Sequence, residues 1–316
     1  MKKRYLAAAV AAMITLTTGV VMASPVELDG SASIRYRADS YSNKGDMNGT
    51  ITRFNLNAKS QVATNLSVYA RFAVEGLSNS SPSFGGRDFA DTTKSFIGEI
   101  DQYGLLYSNA GFTYKLGQQA PTIGGLGLLY DASGYLGNKD MGVADGINIK
   151  GKSGVTSIDF LAAQENNTGS VDNKIYSVRA SYNPTKALTL GATLAQYKAA
   201  TNMTFYAADA SYVAGKATYS GEYAKSNASN KDQAYAVGIS YATDAKNSVW
   251  VYNYKVEDNG NIAGMTTFDS GKKGFYYGAD HSFTKDTALH LFYTDRQRLD
   301  NGIKDTSFRT TVSYNF

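Results

Sequence analysis

DTSFRTTVSYNF, residues 305–316, ends the chain. Every second residue gives Phe308, Thr310, Val312, Tyr314 and Phe316, and between them lie Ser307, Arg309, Thr311, Ser313 and Asn315. Successive side chains of a strand point to opposite faces. The stretch therefore reads as a strand with one apolar, aromatic face and one polar face. Chain ends ordinarily fray, so a strand pattern carried onto the last ring calls for a partner strand.

The same two-residue rhythm runs through the chain. Leu28, Gly30, Ala32, Ile34 and Tyr36 alternate with Asp29, Ser31, Ser33, Arg35 and Arg37; Phe54, Leu56 and Ala58 alternate with Arg53, Asn55, Asn57 and Lys59. The repeats are broken by short runs rich in Gly, Asn, Asp, Ser and Lys, the punctuation of strands and turns. We count 16 such strands. The breaks come in two kinds. VATN, SNAG, KSG, PTKA, AGK, DAKN and TKDT are tight, whereas 40–50, 76–93, 119–145, 165–173, 227–231, 257–272 and 298–304 are longer. The exception is AATN at 199–202.

The first residues are of another kind. Lys2, Lys3 and Arg4 precede a mostly apolar run, Leu6 to Val21, and Val21-Met22-Ala23 has small side chains where a signal peptidase needs them. Residues 1–23 read as a secretory signal peptide and 24–316 as the folded barrel. Cleavage removes three cations and no anion, so the formal charge of +4 falls to +1. That leaves little support for a nucleic-acid partner. There is no cysteine, hence no disulfide scaffold and no thiolate metal ligand. No cofactor is expected.

An exported chain of 16 alternating strands, with 24 tyrosines and two kinds of connection, is expected to be all-β. The pattern is that of a 16-stranded antiparallel transmembrane β-barrel, with short periplasmic turns and long extracellular loops in the cell outer membrane. Lipid requires an apolar outer face, while a wet lumen tolerates charge. Tyr36, Tyr107, Tyr114, Tyr182, Tyr212, Tyr223, Tyr252, Tyr254 and Tyr314 lie towards strand ends and suit the two membrane–water interfaces. The closing strand then has its purpose. Unpaired backbone groups in lipid cost several kcal/mol each, so the last strand must pair with residues 27–38. Tyr314 and Phe316 become closing-seam residues, and an assembly signal for the machinery that inserts barrels.

EIDQYGLLYSNAGFTYKLGQQAPTIGGLGLLYDASGYLGN, residues 99–138, resembles the general porin family of Gram-negative bacteria. There a glycine-containing strand, a tight turn and a strand ending near L-G-R-Q lead into a long third loop that folds into the barrel and constricts it. The resemblance implies a homotrimer embedded in outer-membrane lipid that passes small hydrophilic solutes by diffusion. Two departures stand out. The family arginine is Gln118, and the loop lacks an acidic P-E-F-G-G tip, although SFGG occurs at 83–86.

The pore residues follow from parity. Arg35, Arg37, Arg53, Lys59, Arg71 and Lys115 should form a basic inner wall, and Asp131, Asp140 and Asp145 the acids of the inward-folded third loop. Opposed charges across a narrow lumen would orient dipolar solutes and reject apolar ones. The larger basic group gives a weak anion preference. Arg179, His290, Arg296 and Arg309 share the inward parity with Asp29, Glu75, Asp159, Glu222 and Asp280, which limits selectivity.

Enzyme activity is not expected. The two histidines, His281 and His290, have opposite parity and no motif around them. The alternative functions are a substrate-specific channel for a sugar or phosphate and a structural or adhesive barrel. A sugar channel calls for aromatics along the lumen, and only Tyr69, Tyr197 and Phe292 have roughly inward parity by this reading.

Overall fold

A computed structural model describes residues 25–78, 96–133, 143–165 and 171–316. The expected leader and Asp140 lie outside the described residues. The strands are β1 (Glu27–Tyr41), β2 (Lys44–Ala63), β3 (Leu66–Leu77), β4 (Phe96–Asn109) and β5 (Phe112–Gln119), then the two-residue pair β6 (Thr122–Ile123) and β7 (Tyr130–Asp131). After them come β8 (Ala144–Ser153), β9 (Thr156–Glu165), β10 (Lys174–Tyr182), β11 (Leu188–Lys198), β12 (Asn202–Ala214) and β13 (Ala217–Ser226). The last five are β14 (Gln233–Ala242), β15 (Asn247–Val256), β16 (Lys272–Ser282), β17 (Thr287–Arg298) and β18 (Lys304–Asn315). All except β6 and β7 join one closed antiparallel barrel of 16 strands.

The seam lies where the terminal pattern requires it. β18 pairs with β1 from Ser31↔Asn315 to Tyr41↔Asp305. Beyond that ladder Gly30 N–H donates to Phe316 O at 2.9 Å, and Phe316 N–H donates to Gly30 O at 3.1 Å. The Phe316 ring lies over Gly30, where a Cβ would collide with it. It also stacks on Phe54 and Tyr314, with ring centres 5.9 and 6.2 Å away. The outer surface of Gly30 is thus taken by the chain's own terminal ring.

Alternation separates the faces. Leu28, Ile34, Tyr36, Phe308, Val312 and Tyr314 are exposed on the outer side of the seam, while Arg37, Asp39, Asp305 and Ser307 are buried inside. The aromatic belt is right for Tyr36, Tyr107, Tyr182, Tyr212, Tyr223 and Tyr314, which are exposed. It is wrong for Tyr252 and Tyr254. Both have the parity of buried Val256 and point inward, and Tyr254 is fully buried.

Short turns line one rim, between β2 and β3, β4 and β5, and β8 and β9, for example. The other rim carries the longer connections, with one correction. Residues 40–50 were expected to be a loop, but β1 and β2 continue to Tyr41 and from Lys44, leaving a two-residue turn. Polar side chains do not stop a strand that has cleared the apolar zone, because there both faces meet water.

Candidate pore constriction

The third long connection starts with residues 120–133, and these lie against the inner wall. Inward positions of β9 to β14 are mostly small: Ala163, Ala195, Ala207, Ala224, Ala234 and Ala236 are all buried there. They form a shallow bed. Leu128, Leu129 and Tyr130 sink into it and lose all exposure to solvent. Burying such side chains stabilises the packing by roughly 1.5–3 kcal/mol each.

Polar anchors fix the segment. Glu222 on β13 is almost wholly buried, and its Oε2 accepts from Leu126 N–H at 2.7 Å and Leu128 N–H at 3.4 Å. Glu165 at the end of β9 accepts from the Tyr130 hydroxyl at 3.2 Å and the Tyr197 hydroxyl at 2.8 Å. The glycine run Gly124-Gly125 is the local reason this close approach is possible. A Cβ at 124 would strike the Glu222 carboxylate, and one at 125 would strike Asp209. Gly124 also sits at φ +103°, in the left-handed region where glycine is favoured.

A second loop, residues 257–271, locks onto the first. Ile262 N–H donates to Leu129 O at 2.8 Å, Asp131 N–H to Met265 O at 3.2 Å, and Thr267 N–H to Gly127 O at 3.2 Å. Ile262, Met265 and Phe268 join the same buried cluster. Nothing in the alternation had pointed to this loop. Its apolar residues are too few and too scattered to show a period.

The acids of the expected site part company. Asp131 lies on the inward segment, but its partners are donors rather than bases: Thr122 and Ser133 hydroxyls, Thr267 Oγ1 at 2.8 Å and Ser133 N–H at 2.9 Å. Burial opposes its ionisation, and these hydrogen bonds outweigh burial, so its carboxyl titrates below the ordinary aspartate value. Asp145 does not belong to the loop. It is in β8, opposite Gln118 and Gln164, and shares the outward parity of Ile147 and Ile149, because Asn148 and Lys150 of the other parity meet Asp159 inside.

The basic wall exists and is more nearly neutral than parity implied. Arg53 stands opposite Glu75 and donates to it at 3.3 Å; Arg37 donates to Asp39 at 2.8 Å. Arg71 grips Asp101 through two bonds of 2.8 and 2.5 Å. Arg35 reaches across the seam to Thr311 at 3.3 Å, and Arg309 stands directly opposite Arg37. Arg309 thus belongs to this wall. Lys115 donates to Gln102 at 3.2 Å, with its amine 4.7 Å from the Tyr69 ring centre. Lys59 stands apart. It pairs with Glu27 at 3.2 Å near the short-turn rim. Six residues from Arg53, it is about 20 Å further along β2 at ~3.3 Å per residue.

The ring order gives the geometry of the lumen. From β13 to β3 is eight steps around the 16 strands, and from β12 to β2 is also eight. The Glu222 anchor is therefore diametrically opposite the wall that carries Arg53 and Arg71. The two histidines do not converge: His281 Nδ1 meets Asn247 at 2.8 Å, and His290 Nδ1 meets Asp280. Among the described residues no three His, Asp or Glu side chains gather as a cation site.

A closed barrel with a greasy exterior and a charged, partly filled interior is the architecture of a membrane channel. The chain belongs to the Gram-negative porin family, whose profile matches residues 7–301. It is an outer-membrane porin, and that family and fold are non-enzymatic channels. Among solved structures it is similar to a multiply substituted Rhodopseudomonas blastica porin, at TM-score 0.60 and 15% identity over 92% of this chain and 100% of that one. It is also similar to OmpT of Vibrio cholerae in its trimer form, at TM-score 0.61 and 12% identity over 92% and 99%. Among curated proteins no relative matches by sequence.

Proposed function

We propose that the barrel passes small hydrophilic solutes and ions by passive diffusion, with a weak preference for anions. The observation that carries this reading is the placement of residues 120–133. Glu222 holds that segment to the wall diametrically opposite Arg53 and Arg71. A solute crossing between them meets arginines on one side and exposed backbone and hydroxyls on the other. A hydrated ion or sugar can exchange water for such groups, and an apolar solute cannot. Arg35, Arg37, Arg53, Arg71, Lys115 and Arg309 outnumber Asp39, Glu75 and Asp101, which sets the sign of the preference. Asp140 is retained as an acid of the same passage and Lys59 as a charge near its exit.

Residues 1–23 act as the export signal in this reading, and the barrel assembly machinery recognises the strand that ends Tyr314-Asn315-Phe316. The working unit is a homotrimer in outer-membrane lipid, as the trimer form of the Vibrio cholerae protein suggests by analogy of fold.

The test is the reversal potential across a planar bilayer in a salt gradient. The wild type should show ohmic steps and a potential of anion-selective sign. Arg53→Ala should move that potential towards zero. A barrel that passes no current, or a variant that leaves the potential unmoved, overturns the assignment.

A further inference from the structure

We propose that the lumen holds a subsite for carbohydrate rings, formed by the partly exposed rings of Trp250, Tyr252 and Phe292 over the buried rings of Phe268 and Tyr276. The inference rests on the channel reading above only in requiring that solutes reach the inner wall. These five rings are contiguous. Trp250 is 6.0 Å from Tyr252 and 5.6 Å from Phe292, centre to centre. Phe268 is 5.8 Å from Tyr252 and 5.4 Å from Tyr276, and Tyr276 is 4.9 Å from Phe292. They line a cavity of about 340 Å³, completed by Leu126, Thr267 and Ser240. That is at the lower end of the size of small-molecule sites.

Two glycines turn rings into platforms. Trp250 lies flat over Gly278 on β16, and Tyr252 lies over Gly238 on β14; a Cβ at either glycine would run into the ring. A ring pressed flat on the wall offers its other face to the lumen.

The polar groups around the rings select the ligand class. Asp280, half-exposed, accepts from Trp250 Nε1 at 3.1 Å and Ser248 at 3.2 Å, and has His290 beside it. The Arg309 guanidinium sits 4.9 Å over Phe292. The Tyr252 hydroxyl bonds Ser220 at 2.8 Å, and Ser240 and Thr267 add hydroxyls. One anion, one cation and several hydroxyls around flat rings suit a neutral solute with an apolar face and a rim of donors and acceptors. A pyranose is that solute: its C–H face stacks, and its hydroxyls replace water on the polar groups. An organic cation would leave Arg309 opposed, and an organic anion would leave Asp280 opposed.

Trp250 is the only tryptophan in the chain, so it reports on its own site. The folded barrel in detergent is titrated with maltotriose, with polyethylene glycol of equal mass and tetramethylammonium as controls, and tryptophan emission is followed. Maltotriose should change the emission saturably, and the controls should not. Tyr252→Ala and Phe292→Leu, each checked for barrel folding by heat-dependent gel mobility, should raise the half-saturation concentration by about threefold to tenfold. No saturable wild-type response, an equal response to polyethylene glycol, or titrations unmoved in both variants overturns the subsite. A response to tetramethylammonium alone overturns the carbohydrate assignment. Single-channel conductance of the same preparation separates the two readings. Full conductance with a flat titration removes the subsite alone, and saturable binding without conductance removes the channel alone.

Discussion

Arg71 and Asp101 form a two-pronged ion pair across a β-bulge. The ladder between β3 and β4 matches Arg71 with Gln102 and then Phe72 with Ile100, so Asp101 is the extra residue. The bulge turns its carboxylate inward onto the guanidinium, at 2.8 and 2.5 Å, and buries it completely. Asp101→Asn keeps the shape and removes the charge. Its reversal potential should shift towards anions. Loss of one partner from a buried pair should lower resistance to urea in lipid vesicles by about 3 kcal/mol.

Glu222 is the strap of the third loop. Glu222→Ala removes the acceptor of two backbone N–H groups, worth about 0.5–1.5 kcal/mol each. The loop should leave the wall, and single-channel conductance should change by more than the volume of one side chain explains. Glu222→Gln retains an acceptor oxygen and should stay close to the wild type. Two variants with equal, wild-type conductance would show that the strap does not set the passage.

Asp131 gives the pH dependence. Its hydrogen bonds to Ser133, Thr267 and Thr122 outweigh burial and hold its carboxyl below the ordinary aspartate value, so its ionised form is favoured in the fold. That contribution is complete above the unfolded value, about 3.9, and is lost as pH falls through the lower folded value. Its bonds to Thr122, Ser133 and Thr267 then weaken together. The part of the conductance that depends on Asp131, read as wild type against Asp131→Asn, should be constant above about pH 5 and should be lost only on acidification below about pH 4. Asp131→Asn should show the acid behaviour at neutral pH and little further change in acid.

Phe316 offers a ranking. Phe316→Ala keeps the two bonds to Gly30 and loses the stacking on Phe54 and Tyr314. Deleting the residue loses both. Each unpaired group in lipid costs several kcal/mol. Folding yield in vesicles, read by heat-dependent gel mobility, should fall from wild type to Phe316→Ala to the deletion. A deletion that folds as well as Phe316→Ala would remove the backbone pair from the account.

The barrel was legible because lipid imposes one period on every strand, and the tight turns keep it in phase. The site was legible only in part. Arg35, Arg37, Arg53 and Arg71 came out on the right face, but their partners Asp39 and Asp101 were missed. For Asp101 the signal was present. Ile100 and Leu105 pair with outward-facing Phe72 and Val68, and they are an odd interval apart, which alternation forbids without a bulge. Tyr252 and Tyr254 were put in the membrane interface because tyrosine suits both that belt and a packed lumen, and composition cannot separate the two. The lock between 120–133 and 257–271 had no periodic signal, because loop-to-loop contact has no register.

That lock bears on how such channels diverge and how they can be engineered. Ile262, Met265 and Thr267 meet Leu129, Asp131 and Gly127 from the far half of the chain. Neither segment can drift alone without unseating the other, so changes in one should be matched by changes in its distant mate. Grafting a foreign third loop into this scaffold calls for transplanting residues 257–271 with it, as one exchangeable cassette.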